Sequence, residues 1–528
     1  MIKLFNTLKD KALGAKDGHP LANAKEADEI FEELRGGDAL KSLEEVTHWI
    51  ESLRHDESLK PERRFELIKR LDETGQPHRI KVGRDYASVS RQSRFQEGKL
   101  WAAKHDFWTH TLDAYMDLIA RIERKEKGTD ALAKQAGLIA LRALRAASRR
   151  LKWLYVRYGP VPADIWASIA KAYRFAESRK LHNLRSPVYP GLPGDSSPED
   201  EFMRSVLLAA SAPDALTPPE MDVCERLIAH FAGRFKVASQ ATPGSVYWMD
   251  LDQSRQPLRL AAPPAQLTPG LRFFATAEGH ADLAGMLARF EQSNELPGGV
   301  DFGGMPDPRV VREVFKHLAL NWAPQPPVRK SERKRMQTRM SIAHGFEQAL
   351  ELTRQGEMDL ALDTPHVEAE TWVVENVSSG GFGASVAQVK GDWLRIGALI
   401  AVQPDLPGSA GGRWDLAIIR RLSRDAGADS KAQASTGVQI ISRKATTVAL
   451  RNSGGKWSGD RETLDGIYVP DSGQSGVATL VMPQGAYLPG EQLHALIDGR
   501  KHLFFPIAVT ERGEDYDLVT FRDLIEEV

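Results

Sequence analysis

The chain has 528 residues, 42% of them apolar and 27% charged, with 70 Lys and Arg against 71 Asp and Glu for a formal net charge of −1. That length calls for several domains, and the near-neutral balance argues against a dedicated nucleic-acid coat protein. The single Cys224 excludes an internal disulfide and a multi-cysteine zinc site, and no apolar run approaches the roughly twenty residues that a membrane-spanning helix needs.

The start, Met1-Ile-Lys-Leu-Phe-Asn-Thr-Leu-Lys9, lacks the apolar core and cleavage site of a secretory signal, so a cytoplasmic location is expected. Residues 1–185 read as a helical domain. Trp101, Trp108, Leu112, Tyr115, Ile119 and Ile122 recur at helical spacing and form one core-facing stripe. A helix over 131–157 sets Leu138, Leu141, Leu144, Leu151 and Leu154 against Arg142, Arg145, Arg149 and Lys152. Between Ala131 and Pro190 there are twelve Lys or Arg against only Asp164 and Glu177. Such a face is most often solvated; it also suits RNA or DNA, with Trp153, Tyr155, Tyr158 and Trp166 as stacking aromatics, or acidic stretches of the same chain such as Glu199-Asp200-Glu201.

Residues 186–219, with seven prolines from Pro187 to Pro219, read as a linker carrying one short helix. Residues 220–325 read as a small α+β unit: a helix over 220–236, strands near 244–251, 258–261 and 271–276, and helices over 281–292 and 309–321. Residues 326–445 follow a proline-rich connector as short strands, among them 371–375, 381–386, 394–402, 414–419 and 435–441, punctuated by Gly, Pro, Asp and Ser. This pattern favours a barrel or sandwich over βαβ units. Residues 446–528 continue as a further β domain. The fold class expected is therefore multidomain α+β.

Signs of catalysis are few. Arg35-Gly36-Gly37-Asp38-Ala39-Leu40 invites comparison with the GGDEF loop of diguanylate cyclases but departs at the last two positions, and reads as a helix end followed by an Asp38 cap. His105 and His110, five apart, fall on different faces of a helix, so a metal site is not expected there. No GxSxG, HExxH or Walker loop occurs. The expectation is a protein without enzymatic activity, metal or cofactor.

The informative stretch lies in the β-rich region. Arg329-Lys-Ser-Glu-Arg333-Lys-Arg335-Met-Gln-Thr-Arg339 holds two arginine pairs at a spacing of four, Arg329/Arg333 and Arg335/Arg339, and Asn376-Val-Ser378-Ser-Gly380-Gly381 follows downstream. Arginine keeps its charge, forks onto phosphate oxygens or onto guanine O6 and N7, and stacks on purines. The Asn376 oxygen can accept from guanine N–H groups, Ser378 adds a hydroxyl, and Gly380 and Gly381 allow close backbone approach.

Together the two segments resemble the RxxxR and [D/N]xSxxG signature of PilZ domains, receptors for the bacterial second messenger cyclic di-GMP. The resemblance covers residues 326–445. It implies a β-barrel in which the second arginine of the pair directly precedes the first strand; Met340-Ser-Ile-Ala-His-Gly-Phe follows Arg339, which favours Arg335/Arg339 over Arg329/Arg333. By the same resemblance Arg335 and Arg339 clamp phosphate and guanine, while Asn376, Ser378, Gly380 and Gly381 form the strand-end part of the pocket. The expected protein is a cyclic di-GMP effector in which binding orders a flexible arginine run and is passed to a protein partner or to the helical region. The alternative is a nucleic-acid-binding or scaffold protein that uses the basic segment 131–190 with a degenerate barrel.

Overall fold

The computed structural model describes residues 19–88, 94–191, 194–325, 332–355, 369–387, 393–405, 413–425, 433–452, 463–470 and 476–526. The chain divides into two units, Met1–Pro213 with Pro218–Pro327, and Asp214–Thr217 with Val328–Val528. It is a mixed α+β multidomain protein with helices first and two closed six-stranded barrels in its C-terminal half.

In the first unit the apolar stripes become helices: α1 (Ala24–Gly36), α2 (Ala39–His55), α3 (Pro61–Ser88), α4 (Arg94–Glu123), α5 (Ala136–Val156), α6 (Ala163–Ser178), α7 (Pro198–Ala210) and α8 (Pro218–Phe231). Asp38 caps α2 by accepting from the Lys41 N–H at 3.2 Å, so the Gly-Gly-Asp stretch is a helix boundary. Trp108, Leu112, Tyr115 and Ile119 are buried along α4, while Trp101 and Ile122 at its ends are half-buried. Beyond α8 come the four-stranded sheet β1 (Lys236–Ala238), β2 (Ser245–Asp250), β3 (Leu258–Arg259) and β4 (Leu271–Ala275), in the order β1-β4-β2-β3, and helices α9 (Ala277–Ser293) and α10 (Pro308–Trp322).

Two expectations about this unit change. The stretch read as a linker contributes to the core: Val188, Tyr189, Phe202, Met203, Val206, Leu207 and Leu208 are all buried. The basic face of α5 is internal. Arg142 is 1% exposed and pairs with Glu73 at 2.5 Å and Asp72 at 3.5 Å; Arg145 forks onto Glu201 at 2.5 and 2.7 Å; Arg149 pairs with Glu225, and Lys152 reaches Asp222 at 2.6 Å. The hydration that each cation gives up on burial is compensated by a carboxylate from α3, α7 or α8, which is why a row of cations survives inside a core. The face proposed for nucleic acid is thus occupied by acids of the same unit, including Glu201 of the stretch Glu199–Glu201.

Lys104 on α4 differs from these cations. It is 6% exposed, donates to the Arg79 carbonyl at 2.7 Å and stands 5.0 Å from the Trp153 ring. Burial, followed by the nearby Arg79, Lys152 and Arg149, holds its ammonium well below the usual lysine range. Because the unfolded chain binds this proton more tightly, the lysine opposes folding at neutral pH, and the penalty fades as pH rises toward the free value of 10.5. Lys104→Met is therefore expected to raise the neutral-pH melting temperature, or leave it unchanged, and to flatten its rise between pH 7 and 10; thermal denaturation across that range measures this.

Among the described residues from 332 onward the second unit is β-strand with one α-helix. Its first barrel comprises β5 (Lys334–His344), β6 (Glu370–Ser378), β7 (Gly381–Val386), β8 (Leu399–Pro404), β9 (Asp415–Asp425) and β10 (Gln433–Ser442), closed in the order β8-β9-β10-β7-β6-β5. The second comprises β11 (Thr446–Asn452), β12 (Leu464–Pro470), β13 (Val477–Pro483), β14 (Leu493–Ile497), β15 (Arg500–Arg512) and β16 (Tyr516–Glu526), closed as β11-β12-β13-β16-β15-β14. Helix α11 (Phe346–Gln355), which the sequence reading did not anticipate, follows β5 and buries Phe346, Ala349, Leu350 and Leu352 in a core shared with Leu399 and Ile418 of the first barrel and Ile467 and Tyr516 of the second. Its first turn is fixed by Gly345, at φ +90°, and by the Asp515 carboxylate, which accepts from the Phe346 N–H at 2.7 Å. The apolar run 394–402 begins as a turn and becomes a strand only at Leu399.

Candidate functional site

The site is built on three neighbouring strands. β5 runs antiparallel to β6, with Arg335 directly opposite Asn376 and Arg339 opposite Val373. β6 in turn sets Asn376 opposite Gly383 and Ser378 opposite Gly381 of β7. Two bulges interrupt the ladders here, between Arg335 and Thr338 on β5 and between Val374 and Asn376 on β6. A bulge shifts the in-out alternation by one residue. Trp372 and Val374 are buried and Val373 is 46% exposed; past the bulge Asn376 stands opposite Gly383, which alternates with the buried Phe382 and Ala384, and so comes onto the outer face with Val373.

The Asn376 amide lies against the backbone of Gly383. A Cβ at 383 would come within 2.7 Å of Asn376 Nδ2 and 3.0 Å of Oδ1, so glycine is what lets the amide lie flat. Asn376 Oδ1 is buried there without a hydrogen-bond partner, an acceptor whose desolvation is uncompensated. Arg333, Arg335 and Arg339 are exposed.

The strand-end turn is fixed from two sides. Ser378 Oγ donates to the Gly381 carbonyl at 3.1 Å, and the Gly380 carbonyl accepts from the Ile440 N–H at 3.0 Å. A side chain on Gly381 would run into the Val438 carbonyl oxygen of β10, whereas the same position on Gly380 meets open space. Glycine is thus demanded by the fold at 381 but not at 380. Gly381→Ala should force β7 away from β10 and lower the stability of this unit by about 1–3 kcal/mol, whereas Gly380→Ala should cost less; urea denaturation of the two variants checks the contrast.

One expectation is corrected here. Arg335 and Arg339 do not lie in a flexible run before the first strand but inside it, paired with β6, because the polar stretch from Lys334 onward extends the ladder past the bulge. Arg333 sits just ahead of the strand, and Arg329 lies outside the described residues. Among the described residues no group of three or more His, Cys, Asp and Glu could hold a metal ion, and no helix is long and apolar enough to cross a membrane.

With this geometry in view, similarity to known proteins comes from the other half of the chain. Residues 25–242 match the family of the N-terminal domain of the cyclic-di-GMP receptor FimW. The match spans α1 to α8 and ends beyond β1, and does not include the rest of the four-stranded sheet, α9, α10 or the barrels. No curated protein matches the chain.

Gly383 was missed as a site residue in the sequence. Its signal is a third glycine shortly after Gly380 and Gly381, at a position that acquires meaning only once the bulge is known.

Proposed function

We propose that the chain is a cytoplasmic receptor for cyclic di-GMP that binds the dinucleotide on the outer face of a PilZ-like barrel, at Arg335, Arg339, Asn376, Ser378, Gly380 and Gly381, without converting it. The observation that carries this reading is the direct cross-strand pairing of Arg335 with Asn376, which joins the two motif halves in one place. A second, independent support is that the family matching the helical part is itself described as a cyclic-di-GMP receptor.

The chemistry suits the ligand. Arg335 and Arg339 supply two forked cations on one strand for phosphodiester oxygens or guanine edges. The unpartnered Asn376 oxygen offers an acceptor for guanine N–H groups once a ligand draws the amide off Gly383. Because the arginines already belong to a strand, the ligand closes over a formed surface rather than ordering a loose run. Its binding is then read out by a protein partner or by the helical unit, and the ligand's unequal affinity for two arrangements is the only source of such coupling.

Hydrogen exchange on the full chain tests both parts. Added cyclic di-GMP should protect 334–340 and 373–386; unchanged exchange there would contradict binding at this face. Protection confined to the barrel would contradict readout by the helical unit while leaving the site, and readout by a protein partner, intact.

The nucleic-acid alternative has no comparable support, since Arg142, Arg145 and Arg149 are paired inside the first unit.

A further inference from the structure

Resting on that reading, we infer that Arg421 is a third ligand-binding arginine, which holds the far end of the dinucleotide. The cross-strand register carries a single row across five neighbouring strands of the first barrel: Arg335 on β5, Asn376 on β6, Gly383 on β7, Gly437 on β10 and Arg421 on β9. Directly opposed residues of antiparallel strands share a face. The two ends of the row are therefore arginines on the same outer surface, and its middle is a pair of glycines.

The side chains agree with the register. A Cβ on Gly437 would come within 3.1 Å of Arg421 Cβ and 3.6 Å of its Cγ and Cδ, so the Arg421 stem lies over Gly437 as the Asn376 amide lies over Gly383. β9 bulges between Ile419 and Arg421, making it the third strand of the row with an irregularity beside its polar residue. The adjacent row, Arg339, Val373, Ser385, Ser435 and Ser423, repeats the pattern of an arginine on β5 beside small polar residues on β7, β10 and β9.

The size also fits. Four strand spacings separate Arg335 from Arg421, at most about 19 Å along the sheet, and both side chains can reach inward over the glycine floor. Cyclic di-GMP presents a guanine on each side of its phosphodiester ring, so it offers the same groups to arginines at both ends. Arg421 Nε stands 3.9 Å from the carboxylate of Asp214, which belongs to the same unit, and their side chains are 55% and 36% exposed. A pair this long and this wet contributes little, so a doubly charged ligand can displace it.

Calorimetric titration of the full chain with cyclic di-GMP tests the assignment, with Arg421→Ala, Arg421→Gln and Arg421→Lys beside Arg424→Ala, an exposed arginine on the same strand. Arg421→Ala and Arg421→Gln should each weaken binding roughly tenfold or more, with Arg421→Lys between them and the wild type. Arg424→Ala and the melting temperatures should stay at wild-type values. Wild-type affinity in both Arg421→Ala and Arg421→Gln would overturn the role of Arg421 and leave the receptor reading standing. An equal loss in Arg424→Ala would also overturn it, since the effect would then be one of general charge. Absence of binding by the wild type would overturn both.

Discussion

Replacing Arg335 and Arg339 together with alanine is expected to cut affinity for cyclic di-GMP by at least about thirtyfold, since each bidentate arginine contact contributes about 1–3 kcal/mol. The fold should survive, because both side chains are exposed and neither reaches a described carboxylate within ion-pair distance. Lysine at both positions should recover only part of the loss, since an ammonium supplies charge without the planar fork. Calorimetry measures the affinities and melting curves establish that the variants are folded. Unchanged affinity in the double variant would move the ligand away from this face.

The largest effect on stability is expected in the first unit, at Glu201. It is fully buried, accepts two hydrogen bonds from Arg145 at 2.5 and 2.7 Å and a third from Ser196 at 2.5 Å. Burial alone would raise its carboxyl; the Arg145 and Arg204 guanidiniums outweigh burial and bring it down to about 2. Glu225 follows the same pattern, with Arg149 and Lys152 outweighing burial and holding it at about 2. Both folded values lie below the free value of 4.5, so the unfolded chain takes up protons first as the solution is acidified. The stabilisation is complete above pH 4.5 and is lost as pH falls toward 2, at about 3 kcal/mol for each carboxylate. Glu201→Ala should cost about 3–5 kcal/mol at neutral pH by stranding Arg145, a large part of the 5–15 kcal/mol typical of a folded domain. Denaturant titrations at pH 7 and pH 3.5 measure both effects; a variant as stable as the wild type at pH 7 would contradict the role given to this pair.

The same pair shows why the sequence left the basic segment open among solvent, nucleic acid and acids of the same chain, of which the structure bears out the last. Charge counts along 131–190 report an excess of cations but not where their partners lie, and the carboxylates that neutralise α5 come from Asp72 and Glu73 far upstream and from Glu201, Asp222 and Glu225 downstream. Neutralising Arg142, Arg145 and Arg149 would leave buried acids unpaired and unfold the unit, so loss of nucleic-acid retention in such a variant would report misfolding.

The barrel was more legible. The Asn-x-Ser turn and the glycine-led strands carry their own turn chemistry, and alternation in Thr371–Glu375 marks a half-buried strand. The bulges on β5, β6 and β9 left no comparable trace, because a bulge is set by the pairing of two strands and not by either alone. Without them Gly383, Gly437 and Arg421 have no reason to be grouped with Arg335 and Asn376. Helix α11 was hidden for a related reason: Phe346, Ala349, Leu350 and Leu352 form a stripe too short to stand out, and only the core shared by both barrels gives it something to cover.

Isothermal calorimetry of the purified full chain with cyclic di-GMP, with GTP titrated alongside, bears most directly on whether this is a second-messenger receptor. Saturable heat with cyclic di-GMP, absent with GTP and abolished or greatly weakened by Arg335→Ala/Arg339→Ala, is the expected outcome. No saturable heat with a folded chain would contradict it.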